Sequence, residues 1–128
     1  MKKYLLILVL AALFLTSCSK DEGYGGLASI SGKVFAQDYN SSGTLVSEGY
    51  LAGIKVYIKS HDGGTFYDDV DTFYDGSFKF DFLHEGTYDV WVIGDCDYCP
   101  WDQTFVKKTV TIDSKKQNVT TEDFIISI

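Results

Sequence analysis

The sequence predicts an all-β fold, a seven-stranded antiparallel β-sandwich. Three observations carry this. Short segments alternate apolar and polar residues with a period of two, and glycine- and aspartate-containing turns separate them. Strand-favouring aromatics are plentiful, with nine Tyr, nine Phe and two Trp against one Pro and one Met. After the first seventeen residues, nothing repeats at helical spacing over three turns.

The first strand is expected at Ser29–Ala36, with Ile30 and Val34 on one face. Residues 37 to 50 are long and polar, with Asn40, Ser41, Ser42 and Gly43, and suggest a loop. Ile54–Lys59 alternates cleanly: Ile54, Val56 and Ile58 face one way, and Lys55, Tyr57 and Lys59 the other. His61-Asp62-Gly63-Gly64 suggests a turn, and Thr65–Thr72 a third strand. Tyr74-Asp75-Gly76 fits a tight turn in which Gly76 takes positive φ. Ser77–Phe82 follows, with Phe78, Phe80 and Phe82 expected on the core face. After the turn at Glu85-Gly86, Thr87–Ile93 puts Tyr88, Val90 and Val92 inward and Asp89, Trp91 and Ile93 on the other face. Residues 94 to 102 form a loop holding Cys96 and Cys99, and Phe105–Ile112 and Val119–Ile128 complete the set. One-sided alternation calls for two sheets packed face to face.

The N-terminus carries an address. Lys2 and Lys3 precede an apolar run, residues 5 to 15, which is shorter than the roughly 20 residues that span a bilayer. Leu15-Thr16-Ser17-Cys18 then resembles the lipobox of a bacterial lipoprotein. That resemblance implies a signal peptide over residues 1–17, cleavage before Cys18, and lipidation of Cys18. An anchor with more than one acyl chain holds stably, at about 0.8 kcal/mol per buried CH₂. Ser19-Lys20-Asp21-Glu22 resembles the short acidic export signal of surface lipoproteins in the Bacteroidota. It implies an outer-membrane protein facing the medium, with the periplasmic face as the alternative. Residues 18–27, with Gly23, Gly25 and Gly26, suit a flexible tether, leaving residues 28–128 as one domain.

The charge balance excludes a class of partner. Of eleven basic residues, Lys2 and Lys3 fall in the leader, which leaves nine lysines against eighteen acids and no arginine. Nucleic acid needs a basic footprint, and phosphate or carboxylate ligands favour an arginine clamp, so polyanionic partners are not expected.

Three fragments resemble the carboxypeptidase regulatory-like domain, which has a transthyretin-like sandwich. They are Ile30-Ser31-Gly32-Lys33-Val34, residues 51 to 58, and residues 72 to 88. Gly76, Phe78, Phe80, Leu83, Gly86 and Tyr88 fall at the family's spacing, whereas Phe73 stands where Asp is common and His84-Glu85 where prolines are common. The resemblance implies the fold and is nearly silent on activity.

Cys96-Asp97-Tyr98-Cys99 is the sharpest motif in the domain. With Cys18 set aside for lipid, a disulfide is the first expectation in an oxidising compartment. Free or metal-bound thiols come second. A redox CxxC comes last, because it belongs at a helix start in a thioredoxin-like fold. Zinc would need four ligands. Asp68, Asp69, Asp71 and Asp75 fail the EF-hand spacing and suit a solvated strand edge. His61 and His84 lie in separate turns with no evident partner. Transthyretin-like hydrolases use histidines with an arginine and a characteristic C-terminal motif, whereas this chain lacks arginine and ends Ile-Ile-Ser-Ile; the two closely spaced histidines of intradiol dioxygenases are absent too. No catalytic residues, metal or cofactor are therefore expected. Trp91, Tyr98 and Trp101 are the candidate ligand-binding residues, suited to stacking on sugar rings or anchoring a protein. Equally, Trp91 could cap the sandwich edge and Trp101 pack beneath the loop. The expectation is a non-catalytic, lipid-anchored module binding a glycan or a surface protein. An accessory subunit docking through an exposed sheet edge is second and a hydrolase third.

Overall fold

A computed structural model describes residues 21–128. The expected signal peptide and Cys18 lie outside the described residues. The described residues form nine strands in two sheets. They are β1 (Tyr24–Tyr39), β2 (Leu45–Tyr50), β3 (Lys55–Ser60), β4 (Tyr67–Asp71), β5 (Ser77–Leu83), β6 (Gly86–Asp95), β7 (Gln103–Ile112), β8 (Asn118–Thr120) and β9 (Phe124–Ser127). One sheet runs β4-β3-β6-β7, wholly antiparallel. The other is built around β1, whose first half pairs with β5 and β8 and whose second half pairs with β2 and β9.

The all-β sandwich is as expected; its details differ in four places. First, the C-terminal segment is two strands, and both run parallel to β1. Residues 121–123 break the pairing, so one expected strand becomes β8 and β9. Second, residues 37–50 are a hairpin rather than a loop. Asn40 closes it: its side chain accepts from the backbone N–H groups of Ser42 and Thr44, and Asn40 N donates to Thr44 O. β2 exposes both faces at the sheet edge, so it lacks the apolar alternation of a half-buried strand. Third, residues 24–27, assigned to the tether, belong to β1, with Tyr24 paired to Leu83 across a bulge. Gly23 N donates to the Tyr88 hydroxyl at 2.9 Å and ties this entry to the core.

The fourth difference is at Phe82. Phe78 and Phe80 are buried as expected, but Phe82 has φ 60° and is 65% exposed. A positive φ in a bulky residue rotates the pleat by one step, so Leu83 enters the core in its place.

Between the sheets lie Ile30, Val34, Val56, Ile58, Phe78, Phe80, Leu83, Tyr88, Val90, Val92, Ile112 and Phe124. The Tyr88 hydroxyl donates to His84 O at 2.8 Å, so this buried polar atom is satisfied at both lone pair and proton. Gly76 has the expected positive φ, 76°, and a Cβ there would lie 2.9 Å from Val34 O. Turn and close approach both require glycine.

Candidate functional site

Trp91 is placed by its strand. β6 alternates, so with Tyr88, Val90 and Val92 inward, Trp91 stands on the outer face of the four-stranded sheet. Register then decides its neighbours. Trp91 lies opposite Tyr57 on one side and Lys107 on the other, Lys59 opposite Tyr67, and Ile93 opposite Phe105. Trp91 and Tyr57 stack with centroids 5.3 Å apart and planes 12° from parallel. Tyr67 lies 6.3 Å from both rings. An open groove lined by Lys59, Tyr67, Trp91, Phe105 and Lys107 crosses this face. Its lining residues come from all four strands, a span of about 14 Å at the usual strand spacing.

Tyr98 and Trp101 are elsewhere. They occupy the loop beyond the end of β6, seven and ten residues past Trp91, and are 100% and 93% exposed. The sulfurs of Cys96 and Cys99 sit 1.99 Å apart, at bonding distance. Cys96 N donates to Asp102 O at 2.9 Å and Asp102 N to Cys99 O at 3.1 Å. Trp101 and Asp102 take φ 62° and 55° in the short 3-10 turn Pro100–Asp102. Positive φ costs a non-glycine residue about 1–2 kcal/mol, and here it turns Trp101 outward instead of under the loop. The three expected binding residues therefore form two surfaces. Trp91 joins Tyr57, Tyr67 and Phe105, which the sequence analysis did not single out. The outward alternation of Tyr57 was the signal available; register supplied the rest.

Asp89 is 2% exposed despite lying on the outer face. Its Oδ1 accepts from Thr109 Oγ1 at 2.8 Å and sits 2.9 Å from His61 Nδ1. Burial pushes the Asp89 carboxyl up, but the bonds from Thr109 and His61 and the charges of His61 and Lys107 outweigh it, and the net direction is down. His61 thus has a partner that the sequence did not reveal. An Asp–His pair can orient a general base. The hydroxyl at this pair, however, donates to Asp89 and not to His61, so it is not placed as a nucleophile. His84 lines clefts at the other end of β6, beside Gly25 and Glu22.

The acidic residues have local work. Lys55 pairs with Asp69 at 3.1 Å and Asp71 at 3.6 Å. Asp68 accepts from the Tyr24 hydroxyl, and Asp75 from Ser77. Ser77's hydrogen bonds hold the Asp75 carboxyl below the usual carboxylate range.

No family model and no curated protein matches the chain. Among solved structures, the crystal structure of a "putative carbohydrate binding protein" from Pseudomonas aeruginosa is similar, with 15% identity and a TM-score of 0.47. The match covers 88% of this chain and 94% of that one. A likeness at this level carries no argument about ligand or activity.

Proposed function

We propose that this chain is a non-catalytic binding module that takes a glycan on the outer face of its four-stranded sheet. One observation carries the reading: the near-parallel stack of Trp91 on Tyr57, continued by Tyr67 and Phe105 into an open groove. Aromatic faces held by a sheet offer flat apolar area to the C–H faces of sugar rings. They do so without ordering side chains on binding. The lipobox at Leu15–Cys18 supports a lipid anchor on the outer membrane, and Ser19–Glu22 supports the surface-facing side. The described chain enters beside Glu22 and Tyr88, at the start of β6. Ten strand residues, about 33 Å, separate that end from the loop of Tyr98 and Trp101. A Cys18 anchor would thus leave both aromatic surfaces clear of the bilayer.

Glycan-array binding tests the reading. Trp91→Ala should lose about five- to 150-fold in affinity with its thermal unfolding still cooperative, since a ring stack contributes about 1–3 kcal/mol. Unchanged binding in Trp91→Ala would overturn the assignment. For the anchor, Cys18→Ala should leave the membrane fraction. Full membrane association of that variant would refute it.

A second reading has its own observation. β2 is an edge strand, with Leu45 and Val46 exposed. Such an edge can accept a partner strand in an outer-membrane complex. Crosslinking in intact cells that captures one membrane protein through β2, unaffected by Trp91→Ala, would favour this accessory role.

A further inference from the structure

The groove is flanked by cations in a domain that is otherwise acidic. Lys59 and Lys107 line it on either side of Trp91, both exposed. Among the described residues neither lies within 4.0 Å of a carboxylate oxygen, whereas Lys55 and Lys79 on other parts of the surface do. The carboxylates nearest the groove are already occupied. Asp69 and Asp71 face Lys55, and Asp89, opposite Lys59 in register, is buried under His61 and Thr109, with Lys107 acting on it by longer-range charge. The charged side chains that line the groove are therefore both cationic, a local exception to the exclusion of polyanions drawn from the chain's formal charge of −7.

Resting on the glycan reading above, we infer that the groove selects an acidic glycan. The ligand is an extended chain whose rings stack on Tyr67, Trp91 and Phe105 and whose carboxylate or sulfate groups meet Lys59 and Lys107. The chain's extent follows from the aromatic band, about 14 Å across four strands, which is longer than one sugar ring. Its charge follows from the two unpaired ammonium groups. Lysine suits this task as a point charge, which tolerates a carboxylate or a sulfate in varied orientation. The domain's net negative charge opposes non-specific polyanion binding, so docking depends on the lysines at the groove.

The test is binding to matched oligosaccharides in three sets: neutral, uronate-bearing and sulfated. Wild type should hold uronate-bearing or sulfated chains about tenfold more tightly than neutral chains of equal length, and added salt should weaken that preference. Binding confined to one acidic set identifies the anion and supports the inference. In Lys59→Gln/Lys107→Gln the preference should disappear while residual stacking affinity for neutral chains stays. Equal binding of neutral and acidic chains by wild type overturns the acidic selectivity and leaves the glycan site standing. Retention of the acidic preference in the double variant overturns the assignment to these lysines. Failure to bind any set overturns this inference and the glycan reading together.

Discussion

Two groups of aromatic side chains reach the surface of this domain, and they are held there by different means. Tyr57, Trp91, Tyr67 and Phe105 stand on four hydrogen-bonded strands. Tyr57, Trp91 and Tyr67 also fix one another by ring contacts of 5.3 to 6.3 Å. Tyr98 and Trp101 sit on a loop tied by Cys96–Cys99 and a few backbone bonds, with no ring pair among the described residues. The first group is a surface made ready by the fold. The second is a pair of projections whose side chains would have to be ordered by a partner, at about 0.5–1.5 kcal/mol for each immobilised side chain. Rigid rings of the first kind suit a ligand with flat faces, whereas the second kind suits a partner with a pocket of its own.

The support beneath the platform is the place to break this contrast. Asp89 adjoins Trp91 in β6 and binds two neighbours while almost fully buried. Asp89→Ala should cost about 1–3 kcal/mol near neutral pH, since bonds to a charged group are lost and the burial cost of that charge is relieved. The folded carboxyl titrates below its unfolded value, so its contribution is present above about pH 3.9 and is lost as pH falls through the lower folded value. The gap between wild type and variant should accordingly narrow below pH 3.9. Denaturant melts of both proteins across that range check it. A gap independent of pH would mean that Asp89 acts through packing alone.

The loop's tie gives the next largest effect. A ring closed between Cys96 and Cys99 is small, and constraining it contributes at most about 2 kcal/mol. Reduction should lower the melting temperature modestly, change the emission of Trp101, and leave glycan affinity at Trp91 within twofold. Thiol titration without reductant should find neither Cys96 nor Cys99 free. Two reactive thiols in the unreduced domain would show that the loop is untied.

Much of this contrast was legible in the sequence, and the rest was not for physical reasons. Side-chain period showed that Phe78 and Phe80 face in and that Trp91 and Tyr57 face out. It could not show Phe82, because one positive φ shifts the pleat without any change in residue pattern. Nor could it show which outward residues meet. Tyr57 joins Trp91, and His61 joins Asp89, through the register of β3 on β6, across 34 and 28 positions of chain. The parallel return of β8 and β9 to β1 is equally non-local, with Ser29 bonded to Asn118 across 89 positions. The hairpin at Asn40 was hidden for the opposite reason. Both faces of β2 meet water, so no burial pattern marks that strand. Motif reasoning grouped Trp91 with Tyr98 and Trp101 because they are close in sequence. Strand length separates them, because each residue of an extended strand adds about 3.3 Å.

The ring stack itself supplies a smaller effect on stability than on binding. Trp91 is half-buried, and its pairing with Tyr57 contributes about 0.5–1.5 kcal/mol beyond area. Losing the stack alone should therefore cost Trp91→Ala about 1 kcal/mol, to which the uncovered area adds, while most glycan affinity is abolished. Trp91→Phe should restore stability to within about 0.5 kcal/mol and affinity only in part. Equal losses in both quantities would mean that Trp91 caps the sheet and nothing more.

Trp101 provides the sharpest counterpart, because its expected effect on stability is the smallest. At 93% exposure it buries almost nothing, and neither it nor Tyr98 has a side-chain partner among the described residues. Tyr98→Ala/Trp101→Ala should change stability by less than about 0.5 kcal/mol, the range of surface substitutions away from special features. It could even stabilise, if a smaller residue at 101 relaxes more easily from φ 62°. Two large rings held in water at an energetic cost are hard to explain by folding, so their effect should appear in association. A photo-crosslinker placed at Asp97 should capture a partner from intact cells in wild type and lose it in the double variant. Glycan binding at Trp91 should be equal in both. A double variant that melts more than about 1 kcal/mol lower would return Tyr98 and Trp101 to the fold. The two aromatic regions would then differ in location but not in purpose.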